Sequence, residues 1–365
     1  MSAPMTDKGG TGLAPSRLRQ AVRLREGGLA VLMILVSLAA AASLPAFRSS
    51  ENISEVLNNS TIVIVLAIGE TLVLLTRQID LSVGATLGLS AFITGSLVGH
   101  MGALSVPGAV ALSLLVGAVL GLGNGLLVDL ARMPAIIATL ATLAIYSGLQ
   151  VIISGGSQVY ASQLPSWLAN LYVTNWLGAP SFIVIAVVCV VVFGLIMRFT
   201  RWGRDLYAMG SNPEAARYMA IPTRRRTYEA FIVCGALAGF GGLLYAAQYG
   251  NVDATAGGGF NLQVIAGAVV GGVSLFGGSG TPVGAALGSL FLVEIENILA
   301  LLKISIFAQQ TLQGVAIVAA VVIYALLTRR LQHPASRTQY VETAGPAGSV
   351  GPPPDADPAP GMAAG

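Results

Sequence analysis

Charge is scarce in this chain. Of 365 residues only 10% are Asp, Glu, Lys or Arg, while 55% are hydrophobic. That balance excludes an ordinary soluble domain and describes a polytopic membrane protein. Lysine occurs only at Lys8 and Lys303. The glycine-rich stretch GGVSLFGGSGTPVG, residues 271–284, therefore lacks the lysine that a GxxxxGK[ST] phosphate loop requires, and the chain is not by itself a P-loop ATPase. Its glycines are expected to turn the chain tightly between two spans. Two cysteines, Cys189 and Cys234, sit inside apolar runs and read as small buried hydrophobes, not a disulfide, a metal site or a nucleophile. His100 and His333 are the only histidines, so no converging metal ligands and no hydrolytic set are expected. No nucleic-acid signature is present, because the basic residues follow membrane boundaries and are not interleaved with aromatics.

Apolar runs and 45 glycines dominate what remains. Glycine lets membrane helices approach closely where no hydrophobic force drives them together. Ten spans are expected, at roughly 27–47, 56–76, 82–100, 104–128, 134–153, 179–197, 228–248, 262–277, 281–300 and 307–327. The fold class is all-α, a lipid-embedded bundle of about ten transmembrane helices. The first run resembles a signal peptide, but its length and the missing cleavage site favour an uncleaved helix. Residues 1–26 form a basic N-tail, 27–328 the transmembrane domain, and 329–365 a Pro/Ala/Gly-rich tail expected to be disordered.

The basic residues orient the bundle. With the N-terminus inside, the inner segments hold five in the N-tail, Arg77, Arg132, seven in the loop 198–227, and three in the C-tail. Only Arg48 and Lys303 of the nineteen fall outside. The positive-inside rule then gives N-in, C-in and an even number of spans. The long outer loop 154–178 carries no charge, and its Trp167, Tyr172 and Trp176 suit the interface. VGATLGLS (83–90) and VGAALGSL (283–290) share five of eight residues, a faint internal repeat in a Gly/Ala/Leu-rich chain.

The loop 198–227 does more than fix topology. Within it, Ser211 or Asn212 can cap a helix, Pro213 suits its first position and Glu214 complements its dipole. Ala215, Ala216, Tyr218 and Met219 give that helix an apolar side. Such a helix offers a knob to a partner; the plainer alternative is a basic loop that only sets orientation.

Polar residues inside apolar runs are the other candidates, since intramembrane acids are costly and default to function. In LTRQIDLSVG, residues 75–84, Arg77 and Asp80 bracket a break between two spans, and Ser82 and Gly84 open the next helix. This is either a broken-helix element by the pathway or a plain turn capped by Asp80 or Ser82. Glu70 either reaches the headgroups or pairs with Arg77. Glu294 and Asn297 share a helix face while Glu296 points elsewhere. They either line a vestibule for a hydroxyl-rich solute or make packing or gate hydrogen bonds.

TRQIDLSVG (76–84), GRDLYAMGSNPEAARYMAI (203–221) and VVGGVSLFGGSGTPVGAALG (269–288), in that order, resemble the ribose-type permease subunits of bacterial ABC importers. The resemblance covers about residues 28–328. LTRQIDLSVG, TLATLAIYSGLQVIISGG (139–156) and FLVEIENILALLKI (291–304) look nearest to the rhamnose and autoinducer-2 branch. It implies ten helices, a permease dimer of identical or paralogous chains, two cytoplasmic ATPase subunits that bind the ATP, and an extracytoplasmic sugar-binding protein. It also puts Gly210, Asn212, Pro213, Glu214, Ala215, Ala216 and Arg217 in the helix that docks on the ATPase. No cofactor is implied for the chain itself. Two departures from the family pattern stand out: Gln78 before Ile79, and Ala220 where the hook usually has glycine. The expected function is alternating-access import of a simple sugar. Its rival is an ion-coupled secondary transporter, which would need a relay of acids near the midplane and no docking helix.

Overall fold

The computed structural model describes residues 15–101 and 105–305, with isolated positions between 307 and 318. These belong to the unit Met1–Val321. Most of the expected tenth span and all of the C-tail lie outside the described residues, as do residues 1–14 of the N-tail.

Long apolar runs become helices because lipid offers no hydrogen-bond partner to a bare backbone. In chain order they are α1 (Pro15–Ser43), α2 (Ser50–Leu75), α3 (Val83–Met101), α4 (Val106–Asp129), α5 (Ala135–Ser154), the short α6 (Ser166–Val173), α7 (Ser181–Phe199), α8 (Arg201–Ser211), α9 (Pro213–Tyr218), α10 (Thr223–Tyr249), α11 (Phe260–Val270) and α12 (Pro282–Leu301). Seven of these are long and apolar enough to cross a membrane. Helix α1 begins at Pro15, within the basic N-tail, and its apolar window runs from Glu26 to Ser43. The only paired strands among the described residues are the two-residue Asn175–Trp176 and Ala179–Pro180.

Burial sorts the bundle. The apolar window of α2 is 89% buried and that of α10 is 72% buried, whereas that of α1 is 6% buried. So α2 and α10 form the centre with α3, and α1, α4, α5 and α7 turn apolar side chains outward, as lipid-facing helices do. The tightest helix pair is α4 with α10, where Gly117, Gly121, Gly235 and Gly239 meet. A Cβ on Gly117 would lie 2.0 Å from the carbonyl oxygen of Gly235. Small residues at such a crossing let backbones touch and let dispersion hold the pair.

One expected span is corrected. The segment 262–277 is not a full helix: α11 has 11 residues, about 16 Å at 1.5 Å per residue, half of a bilayer core of about 30 Å. Before it, the segment 250–259 runs without helix past α3. Val252 bridges Val159 in the α5–α6 connection, and Gly257 lies against the first turn of α3, where a Cβ on Gly84 would be 2.5 Å from its carbonyl oxygen. The glycine run 257–259, with Gly257 and Gly259 at positive φ, breaks the helix. Buried Gln150 of α5 satisfies the exposed backbone, donating to the carbonyls of Asp253 at 2.9 Å and Ala256 at 3.3 Å. Non-helical backbone at membrane depth is tolerated only where protein covers it or a cavity adjoins it.

Candidate functional site: a three-way junction beside buried carboxylates

The break between α2 and α3 is buried. Asp80 is 1% exposed, and its Oδ1 accepts from the Ser82 backbone N–H at 2.9 Å and the Ser82 hydroxyl at 2.6 Å. Asn124, in the last third of the apolar α4, donates Nδ2 to Asp80 Oδ2 at 3.0 Å and to Ser82 Oγ at 2.8 Å. Thr139 of α5 donates to the Ile79 carbonyl at 3.2 Å. Glu70, fully buried on α2, accepts the Asp80 backbone N–H at 3.1 Å, with Cys234 Sγ 4.0 Å from its other oxygen. The structure thus joins Glu70, Asp80 and Ser82, and Gly84 follows at the closest approach of α3 to Gly257. Glu70 neither reaches an interface nor pairs with Arg77. Removing any one partner here would leave a buried polar group unsatisfied, which costs about 1–3 kcal/mol and more for a charge.

Arg77 points the other way. It adopts φ 65° in a Schellman end to α2, with Arg77 N–H donating to Leu74 at 2.9 Å and Gln78 N–H to Val73 at 3.3 Å. Its side chain crosses to the last turn of α8, donating Nε to the Gly210 carbonyl at 2.6 Å and Nη2 to that of Ser211 at 3.0 Å. A cation on the free carbonyls of a helix end is favourable. The glycine turn 277–280 closes the third side. Gly278 N–H donates to the Leu75 carbonyl at 3.1 Å, and Tyr207 of α8 donates its hydroxyl to the Gly280 carbonyl at 2.7 Å. Burial pushes the Tyr207 phenol up to about 12, so it remains a neutral donor at physiological pH. No side chain fits between these backbones: a Cβ on Gly210 would be 1.8 Å from the Leu75 oxygen and 2.4 Å from the Gly278 nitrogen. The end of α2, the end of α8 and the α11–α12 turn therefore form one contact.

From this junction α9 projects. Of the two caps expected, Asn212 is the one that acts, its Oδ1 accepting from Glu214 N–H at 3.1 Å and Ala215 N–H at 3.0 Å. Pro213 takes the first helical position. Ala216 turns inward and is 1% exposed, while Glu214, Arg217, Tyr218 and Met219 face out. Behind α9, α8 is stapled to α10: Arg226 grips Asp205 Oδ2 through Nε at 2.9 Å and Nη2 at 2.7 Å, and Glu229 through Nη1 at 2.7 Å. Arg224 reaches Asp129 at the end of α4, at 2.9 Å. The segment 198–227, expected to hold one short helix, thus holds two, α8 and α9, followed by the first turn of α10.

Residues 52–327 match the family described as branched-chain amino acid transport system / permease component. The autoinducer 2 import system permease protein LsrC of Salmonella typhi is 34% identical over 318 residues, covering 87% of this chain and 90% of the relative. LsrC of Enterobacter sp. (strain 638) is 36% identical over 303 residues, 83% of this chain and 86% of the relative. The chain belongs to this permease family. Its members are membrane subunits of ABC importers, which work with ATPase and solute-binding partners, and membership decides against a stand-alone secondary transporter. No solved structure matches the chain.

The permease keeps its other candidates apart from this site. Glu294 is 4% exposed and accepts from Ser37 of α1, while Asn297 exchanges paired amide hydrogen bonds of 3.0 and 2.9 Å with Asn52 of α2. Glu296 accepts from Gln263 of α11 at 2.7 Å. All three fasten α12 to its neighbours. Sequence reasoning passed over Asn124 and Gln150, although each is a lone amide in an apolar run and carries the same intramembrane signal as Glu70.

Proposed function

We propose that this permease imports a small, neutral, hydroxyl-rich solute of the simple-sugar or autoinducer-2 kind, driven by separate ATPase subunits that grip α9 from the cytoplasm. The arginine distribution supports an N-in orientation, which puts α8 and α9 in the cytosol. Asn212 and Pro213 start the docking helix, Glu214, Arg217, Tyr218 and Met219 meet the ATPase, and Gly210, Ala215 and Ala216 let the helix lie close to the bundle. The one observation that carries this is the Arg77–Gly210–Gly278 contact. A push on α9 reaches the α2–α3 break and the half-helix α11 without passing through a flexible linker. ATP binding then closes the ATPases, and α2, α3 and α11 rock to open the path to alternate sides. A second permease chain completes the pair, and an extracytoplasmic binding protein delivers the solute and supplies most of the affinity.

The family description names branched-chain amino acids and the relatives' names specify autoinducer 2, so family membership alone does not fix the solute. The test of the coupling is uptake in proteoliposomes containing permease, ATPase and binding protein. Vanadate should abolish uptake and a protonophore should not. Bulky substitution at the exposed Glu214 should release the ATPase while leaving the bundle folded. Uptake that ignores vanadate, or a Glu214→Trp permease that still holds ATPase and transports, would refute it.

A further inference from the structure

The lipid-facing side of α7 ends in a group of arginines. Only 17% of the apolar window of α7 is buried. Val188, Val191, Val192, Leu195 and Phe199 are all exposed and follow the helical period, so they form one stripe. From Val188 to Phe199 the stripe runs about 16 Å at 1.5 Å per residue, close to the depth of one leaflet in a hydrocarbon core of about 30 Å. Phe199 closes it and is 64% exposed. The chain then turns at the extended Thr200 into α8, whose first turn lies back against α7: a Cβ on Gly203 would be 2.4 Å from the Met197 carbonyl oxygen. That turn brings guanidinium groups to the end of the stripe. Arg198 lies over the Phe199 ring at 5.2 Å, and Arg204 donates Nη1 to the Phe199 carbonyl at 3.2 Å. Arg201, at the start of α8, is exposed.

Cations gathered in this way repel one another, and the described residues offer them no anion. The ion pairs there belong to Arg224, Arg225 and Arg226. Asp205, the acid nearest in sequence, is already held by Arg226 through two bonds. Arginines that only marked the membrane boundary would reach separately into water, whereas Arg198 and Arg204 both fold onto Phe199. An anionic phospholipid answers both features: its acyl chains lie along the aliphatic stripe, and its phosphate accepts from the guanidinium groups. A zwitterionic lipid brings its own ammonium into the cationic cluster, and a free phosphate leaves the stripe unused. We propose that the α7–α8 corner binds one anionic phospholipid, with its phosphate on Arg198, Arg201 and Arg204 and its chains on the face from Val188 to Phe199. The bound lipid clips α8 to α7 and steadies the base from which α9 projects. The site lies at the opposite end of α8 from α9, and it requires only that α7 crosses the membrane.

Native mass spectrometry of the full-length permease, released from neutral detergent after addition of dioleoylphosphatidylglycerol or dioleoylphosphatidylcholine, tests this. The first phosphatidylglycerol should bind about tenfold more tightly than the first phosphatidylcholine. The variant Arg198→Gln, Arg201→Gln, Arg204→Gln should lose that preference. The charge-matched variant Arg132→Gln, Arg224→Gln, Arg225→Gln should keep it, because it removes as much positive charge from the same side of the bundle but leaves the corner intact. Glycerol 3-phosphate, which carries the phosphate without the chains, should not displace the lipid. A second reading on folded protein is the melting temperature, which phosphatidylglycerol should raise more than phosphatidylcholine does in the wild type and in the charge-matched variant but not in the corner variant. Equal binding of the two lipids by the wild type, an equal loss of preference in both variants, or displacement by glycerol 3-phosphate would each overturn the proposal. So would a corner variant that loses the ATPase while keeping its preference for phosphatidylglycerol, since the three arginines would then serve an acidic surface of the ATPase.

Discussion

Arg77 and Gly210 are 133 residues apart in sequence, yet the guanidinium Nε of one lies 2.6 Å from the carbonyl oxygen of the other. This bond ties the end of α2 to the end of α8, one residue before Ser211 and two before the cap of α9. It is the shortest side-chain link between the α2–α3 break and the helix proposed to meet the ATPase. Replacing Arg77 with Gln removes the charge and shortens the reach. The bond is partly exposed, so the loss is about 1–2 kcal/mol, enough for roughly tenfold in uptake if the bond is kept through the transport cycle. ATPase co-purification should be unchanged. Loss of the ATPase together with uptake would mean that Arg77 holds α9 in shape and does not transmit its movement.

Ala220 gives a complementary test. It follows α9 at φ 56°, closing a Schellman end in which Ala220 N–H donates to Arg217 at 3.0 Å and Ile221 N–H to Ala216 at 3.1 Å. The motif is intact, but a Cβ in the left-handed region costs about 1–2 kcal/mol. Ala220→Gly should therefore raise the melting temperature of the detergent-solubilised permease without changing uptake. Arg77→Gly relieves the same strain at α2 yet deletes both bonds to α8, so it should leave stability nearly level and still lower uptake. A destabilised Ala220→Gly protein would mean that the unfolded-state freedom of glycine outweighs the strain.

The helices were largely legible because lipid forces long apolar runs into one conformation, and the run of α2 or α10 can be read from its residues. The half-helix α11 was not, because apolar 262–270 looks alike whether it crosses the membrane or stops midway. Only the packing of Gly257 on Gly84 reveals the depth at which the chain turns. Asn212 and Pro213 announced α9 by local capping chemistry. The junction beneath it was invisible, since TRQIDLSVG, the hook and GGSG were recognisable one by one but their meeting depends on three distant segments. Asn124 went unnoticed for a different reason: a single amide between glycines in α4 looks like a tolerated polar residue until the carboxylate it serves is located.

Gly210 is the position where side-chain bulk should matter most. Its Cβ would have to displace the backbone of Leu75 or Gly278, neither of which is a flexible side-chain end. Gly210→Ala should separate α8 from α2, costing about 1–3 kcal/mol as overpacking does, and should lower both thermal stability and uptake. Gly148 is a control within the bundle, because a Cβ there meets nothing within 4 Å. Gly148→Ala should be silent or slightly stabilising by helix propensity. Equal behaviour of the two variants would show that the junction has slack which the close backbone approach denies.

The Asp80–Asn124 pair allows the buried cluster to be tested by exchange. Asp80 is placed only to accept, from two groups of Ser82 and from Asn124 Nδ2, while Asn124 Oδ1 has no partner among the described residues. Asp80→Asn keeps the shape but sets an amide against an amide and weakens each bond from charge-assisted to neutral. Asn124→Asp keeps the shape as well, but brings a second carboxylate against Asp80 with Glu70 close by, so like charges meet in a place water does not reach. The second change should be the more damaging, with expression or stability falling sharply. The double exchange restores one carboxylate facing one amide, and the amide at 80 can still turn its oxygen to Ser82. It should recover a substantial part of the stability lost by Asn124→Asp alone, read as a coupling of about 1–3 kcal/mol in a thermal double-mutant cycle. Additive effects would show that Asp80 and Asn124 act independently, and the α2–α3 break would then be held by Ser82 and the Glu70 contact alone. Recovery of stability without recovery of uptake would place the carboxylate itself, at position 80, in the movement that α9 drives.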